Sequence, residues 1–311
     1  MYAGKTLHIL NGDATKDIFL RTDLKTESYT VWREMMCEGP AEEFLHDPAF
    51  WKKREQYICK HFGETPEGYF DKVIMEQIRL EAFLSDYDEI ILWFEHDVFC
   101  QINLVALLAW LNRLDLRGQK LYTVSIGSHP EIERFKGYGQ LSPRQLHQLL
   151  PHKMELSKAD IHFAESAWKA YASKTPADIE QLLNNIPPHF PFLKSALQLH
   201  LQRLPHFQTR INLLEQKILQ QLQENVMEKY ELMRWMVEDD LEYGFTDRQF
   251  LAIIHRLKPF YDITDNGLQI NQAGLDILNG KANGSLLPPQ SVGCIAAGYY
   301  WEPTNGKTVM C

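Results

Sequence analysis

Three clusters of polar residues in this chain stand where apolar runs end, and their types are those of acid–base and anion-binding chemistry. His8 precedes Asn11-Gly12-Asp13, Arg33-Glu34 is followed by Glu38-Gly39, and Glu95-His96-Asp97 has Gln101 one helical turn further on. A carboxylate at the end of a buried apolar strand is desolvated unless paired, which raises a carboxyl pKa toward general acid or base duty. Glu95 follows Ile90-Ile-Leu-Trp-Phe94 and fits that description. Glu95 or His96 would then be the acid or base, with Asp13 and Asp97 orienting or ligating and Arg33 meeting an anionic group. His8, Asn11, Gly12, Glu38 and Gln101 complete the expected ligand contacts.

Each residue also has a structural role open to it. Asp13 and Asp97 precede helices, and Asp is a favoured N-cap, so each reads as a cap, a site carboxylate or both. His8 lies inside a buried strand, where a core histidine bonded to a neighbour is the commoner case. Arg33 is the candidate ion-pair partner of Glu95, because buried charges are generally paired. Gln101 reads most simply as a helix-surface residue. His8, Asp13, Glu95, His96 and Asp97 are also metal-binding types, but their spacing matches no zinc or calcium signature, so no metal and no cofactor is assigned.

Other motifs fail on context. Gly4-Lys5-Thr6 and Gly306-Lys307-Thr308 lack the glycine five positions before the lysine of a phosphate-binding loop. Gly137-Tyr-Gly139-Gln-Leu-Ser142 lacks the last glycine of a dinucleotide fingerprint and follows the fourth strand, not the first. Ser128 has no nucleophile elbow around it.

The elements that must position these residues follow from apolar periodicity and breakers. Strands are expected at 5–11, 29–33, 89–94 and 121–126, helices at 14–21 and 98–113, and a helical insertion at 41–85. That alternation predicts an open, mainly parallel four-stranded α/β domain over about 1–130. With a 2-1-3-4 strand order, Asp13 and 95–97 face one crevice at the carboxyl ends of the strands. Ser142-Pro143 with Gln145 is a helix start, and a mostly helical domain fills 131–311. Asp265-Asn266-Gly267 between apolar runs predicts a hairpin. Three helices before it suggest a winged-helix-like module at about 211–280, with Leu213, Leu214, Ile218, Leu219 and Leu222 as its core stripe. Its recognition position, 245–257, offers Arg248, His255 and Arg256, with Lys258 just after. The preceding Glu238-Asp239-Asp240 and Glu242 repel phosphate, so packing or dimerisation is favoured over DNA contact. The tail after Pro288-Pro289 suggests a further short hairpin or an extended arm.

With 311 residues, two domains are expected, and 45% hydrophobic against 23% charged residues is an ordinary globular mixture. The net charge of -9 argues against a general polyanion binder. Five scattered cysteines without a C-x-x-C pair suggest reduced thiols. No leader pattern opens the chain and no apolar run approaches the roughly 20 residues that span a bilayer, so the expected place is the cytoplasm, without membrane contact.

Taken together, these motifs resemble an uncharacterised bacterial family, an N-terminal domain of unknown function followed by a second one. The resemblance rests on His8-Ile-Leu-Asn11-Gly12-Asp13, Trp32-Arg33-Glu34 with Glu38-Gly39-Pro40, and Leu92-Trp-Phe-Glu95-His96-Asp97 with Gln101. It continues through Gly137-Tyr-Gly139-Gln-Leu-Ser-Pro143, Ala167-Trp-Lys-Ala170 and Pro191-Phe-Leu193, and covers nearly the whole chain. Tyr138 stands where the family pattern has leucine. The resemblance implies architecture and a shared site, with no reaction attached. The expected function is binding of a small polar ligand, nucleotide-like or phosphorylated, with hydrolysis or group transfer on it. The alternative is a regulatory or interaction protein whose helical half contacts DNA or a protein. A homo-oligomer is left open.

Overall fold

A strand that is apolar on both faces can only sit between two layers, and two such strands organise this chain. In the computed structural model, which describes residues 5–114, 116, 118–239, 242–288 and 291–310, β1 (Thr6–Leu10) and β3 (Glu89–Trp93) lie side by side. With β2 (Ser28–Val31), β4 (Lys120–Val124) and β5 (Met154–Leu156) they form a sheet of order β2-β1-β3-β4-β5. The first four strands are parallel and β5 is antiparallel to β4. The expected order of the parallel strands holds, but the expected four strands become five. β5 is only three residues long and lies between helices, so it leaves no period in the sequence. Leu10 pairs with both Val31 and Trp93, so Asn11, the 32–33 turn and the 94–95 turn leave the sheet at the same edge.

Helices cover both faces. On one side lie α1 (Asp13–Phe19), immediately after β1, and α6 (Pro143–Leu149), opened by the Ser142–Gln145 capping box. The insertion between β2 and β3 contains α2 (Pro48–Phe62), α3 (Pro66–Tyr69), a π turn over 70–74 and α4 (Met75–Phe83). α5 (Val98–Leu111) leaves β3 with almost no polar face and is buried along its length except at Phe99, as a helix that is hydrophobic all round must be. It packs against α7 (Lys158–Tyr171) and, past α8 (Ala177–Leu182), against α9 (Leu193–Leu201). The hydrophobic cluster around α5 runs from Leu7 to Ile295, joining residues on both sides of position 130.

The C-terminal part continues with α10 (Leu213–Glu224), α11 (Lys229–Asp239) and α12 (Asp247–Arg256). The Asn-Gly turn joins β6 (Tyr261–Thr264) to β7 (Gly267–Ile270), then α13 (Gln272–Leu278) follows. The tail forms the hairpin of β8 (Tyr299–Glu302) and β9 (Lys307–Met310). Asp240 of the acidic run, Pro289 and Cys311 lie outside the described residues. Cys37, Cys59, Cys100 and Cys294 are free thiols, and among the described residues no helix is long and apolar enough to cross a membrane.

One buried ion pair ties the insertion to the sheet. Arg54 of α2 is fully buried, pairs with Glu34 at 2.6 Å and donates to the carbonyls of Met35, Glu38 and Pro40 at 2.7–2.9 Å. The Tyr69 hydroxyl donates to the other Glu34 oxygen. Removing one partner of such a pair strands the other charge at a cost of about 3–5 kcal/mol. Arg54→Met is therefore expected to lower the urea unfolding free energy by about that amount, whereas a loss below about 1 kcal/mol would mean that Glu34 tolerates burial alone.

Candidate functional site

Strand order reverses between β1 and β3, with α1 on one face of the sheet and α5 on the other, and in open α/β sheets ligands bind at the carboxyl ends flanking such a point. Asn11 ends β1 there. Its Nδ2 donates to Glu95 Oε2 at 2.6 Å, and its Oδ1 accepts from the Thr15 hydroxyl at 2.6 Å. The other Glu95 oxygen accepts from the backbone N–H of Tyr138. That approach needs a glycine before Tyr138, because a Cβ on Gly137, at φ +151°, would collide with the Glu95 carboxylate. The Tyr138 hydroxyl donates to the Val124 carbonyl at 2.8 Å, pinning the loop to the end of β4. The Cys100 thiol lies 3.4 Å from Glu95 Oε2, and the Gln101 amide donates to the Glu95 carbonyl at 2.6 Å.

Asp97 caps α5. Its Oδ1 accepts from the Cys100 N–H at 2.7 Å, while the N–H groups of Val98 and Phe99 donate to the carbonyls of Glu242 and Tyr243 at 3.0 and 3.1 Å. The helix's first free donors are thus occupied by the chain itself. Gly244, at φ +63°, lets that segment lie against the Asp97 carboxylate.

Among the described residues no lysine, arginine or histidine forms an ion pair with Glu95 or Asp97, and both are over nine-tenths buried. Burial, and then the nearby Asp97 charge, push the Glu95 carboxyl up to about 8. Burial also raises Asp97, and burial with both carboxylates raises the Cys100 thiol well above its ordinary value. Burial and the Asp97 charge thus favour the protonated form of Glu95 over the opposing hydrogen bonds from Tyr138, Cys100 and Asn11, and Cys100 is a neutral donor, not a nucleophile. One ligand atom each of Glu95, Asp97 and Cys100 lies within 4.8 Å of the others, close enough to share a proton or a cation.

The remaining expected residues fall elsewhere. Arg33 is not the partner of Glu95: its Nε and Nη2 grip Asp13 at 2.9 Å each, holding that carboxyl far below its ordinary range. Asp13 is not a cap either. It is the first residue of α1, and the cap position belongs to Gly12, which has no side chain to bond with. Gln101, expected on the helix surface, is 1% exposed because α5 has no solvent face at that point. His8 is a core histidine. Trp93 Nε1 can only donate, so His8 Nδ1 accepts from it at 3.0 Å and Nε2 donates to Glu27 at 3.0 Å, a neutral tautomer in keeping with a pKa lowered by burial. The His96 ring sits about 6 Å from the rings of Phe135 and Phe192. Glu38 pairs with Arg203 at 2.5 Å. The structure thus gathers Asn11, Glu95, Asp97 and Gln101, with His96 near enough to act on Asp97, sets the Asp13–Arg33 pair at the start of α1 next to half-exposed Gly12, and leaves His8 and Glu38 apart. The sequence gives no signal for Thr15, and marks Tyr138 only as part of the 137–143 motif; Cys100 could have been found three residues after the Asp97 cap.

The chain matches no protein-family model and no curated protein. The likeness to the two-part bacterial family rests on its motifs alone.

Glu95 also ties stability to pH. Below about 4.5 the carboxyl is protonated in folded and unfolded chains alike; from there to about 8 only the folded chain keeps the proton. Stability therefore falls as pH rises through that window. Chemical denaturation across it should show the decline in the native chain and a shallower one in Glu95→Gln; equal slopes would place the titration elsewhere.

Proposed function

We propose that the carboxyl edge of β1 and β3 binds a small polar ligand, nucleotide-like or phosphorylated, and that Glu95 is the general acid and base for its hydrolysis or group transfer. The observation that carries this reading is a buried carboxyl fixed by Asn11, Tyr138 and Cys100 at the strand-order reversal, with no cation among the described residues to pair it. Such a group is protonated at neutral pH and has a use for its proton. In hydrolysis the bond to the leaving group breaks as water attacks, the Glu95 proton goes to the leaving group, and the proton lost by the water restores Glu95. Half-exposed Asn11 and Gly12 form the rim, and Arg33 is the cation that an anionic group on the ligand would meet. Phosphate recognition would rest on Arg33, since no glycine-rich cradle is present in the sequence.

The order of α10, α11, α12 and the β6–β7 hairpin supports a winged-helix-like reading of 211–280. Its cations favour packing over phosphate contact: Arg248 donates to the Phe62 carbonyl at 2.5 Å, and Arg256 pairs with Glu215 and donates to the Pro288 carbonyl.

A thermal-shift screen with nucleotides, phosphorylated metabolites and divalent metals tests the proposal, because a ligand selective for the folded state raises its Tm. The expected result is a shift of several degrees with a nucleotide or phosphorylated compound, abolished by Glu95→Gln and reduced by Asp13→Asn while both variants stay folded. No shift across the panel, or equal shifts in both variants, would overturn it.

A further inference from the structure

Glu38, expected at the sheet edge, instead lines a cavity of about 360 Å³ where the helical insertion meets the C-terminal helices. Tyr57 of α2, Arg203, Glu215 of α10, and Gln249 and Arg256 of α12 line it too. Its volume lies within the range of small-molecule sites. Two ion pairs border it: Arg203–Glu38 at 2.5 Å and Arg256–Glu215 at 2.7 Å, with side-chain exposures of 8 and 13%, and 16 and 1%. Withdrawing four charges from water costs several kcal/mol per ion, and apolar residues of equal volume would pack as well. Their presence around open space points to a ligand.

The hydrogen bonds already made show what remains free. Glu38 Oε1 accepts from Arg203 Nη2 and, at 3.1 Å, from Gln249 Nε2; Arg203 Nη1 donates to the Cys37 carbonyl. Arg256 uses Nε on Glu215 and Nη1 on the Pro288 carbonyl, and the second Glu215 oxygen accepts from the Asn212 N–H. Among the described residues, Glu38 Oε2, Arg256 Nη2 and the Tyr57 hydroxyl are left without a hydrogen-bond partner. Burial and the Glu38 charge push the Tyr57 phenol up to about 12, so it is a donor. Two cations and two carboxylates border the cavity, so a ligand of one sign meets a like charge, and a ligand carrying both signs does not.

We propose that this cavity binds a small zwitterion, an α-amino acid with an apolar side chain. The ammonium sits on Glu38 Oε2, the carboxylate on Arg256 Nη2 and the Tyr57 hydroxyl, and the side chain against Phe62 and Ile253, which also line the space. The site shares no residue with the Glu95 cluster and does not depend on its role.

Calorimetry and thermal shift on the full chain test this with leucine and phenylalanine, each beside its decarboxylated amine and its deaminated acid. The amino acids should bind and raise the Tm, and each singly charged analogue should bind at least tenfold more weakly. Glu38→Gln should weaken phenylalanine binding about tenfold. Because that change also touches a buried ion pair, Ala252→Trp is the decisive variant: Ala252 is exposed on α12 and lines the cavity, so the indole fills the space without entering the core. It should abolish binding with an unchanged melting temperature, whereas Glu95→Gln should leave binding intact. Absence of amino-acid binding at millimolar concentration, equal binding of the singly charged analogues, or undiminished binding by Ala252→Trp would overturn the proposal.

Discussion

The rest of the structure depends on the burial of α5. A helix of sequence VFCQINLVALLAWL has no face that water can wet without cost. The sheet covers one side, and the other must be covered by α7 and α9 from beyond position 130. At the N-terminal turn of this helix polar groups meet the core, and Asp97, Cys100 and Gln101 stand there beside Glu95. The geometry of the candidate site is thus a consequence of how the core is closed, since these side chains ride on an element that packing fixes on every side.

Three buried ionisable groups show three answers to the cost of removing charge from water. Glu34 is paired with Arg54. His8 gives up its charge and is held in one neutral tautomer by the indole of Trp93. Glu95 receives neutral donors only and retains its proton instead, with Asp97 close by. Only the last leaves a transferable proton, which separates it from the two groups whose chemistry is exhausted by structure.

What could be read from the sequence is what local rules decide. The Asp97 cap, the Ser142 capping box and the Asn266-Gly267 hairpin each depend on a few adjacent residues. The Glu95 environment was legible because a carboxylate after a continuous apolar run has few places to go. Partner choice was not. Arg33 turned to Asp13 at the start of α1 because β2 lies beside β1, and Glu38 turned to Arg203, 165 positions away, because of how the later helices dock. Gln101 was misplaced because its own polarity suggests a surface, while the helix that carries it is enclosed. The Tyr138 hydroxyl fastens the loop that holds Glu95 to the end of β4.

The carbonyls of Glu242 and Tyr243 complete the first turn of α5, and Gly244 closes over Asp97. Those residues are made long after α5 has left the ribosome. The last strand of the sheet, β5, and the helices that cover α5, α7 and α9, all come earlier in the chain, so this turn is the last part to be completed, and contacts so distant along the chain close slowly. The first turn of α5 is therefore completed only by residues that lie about four-fifths of the way along the chain.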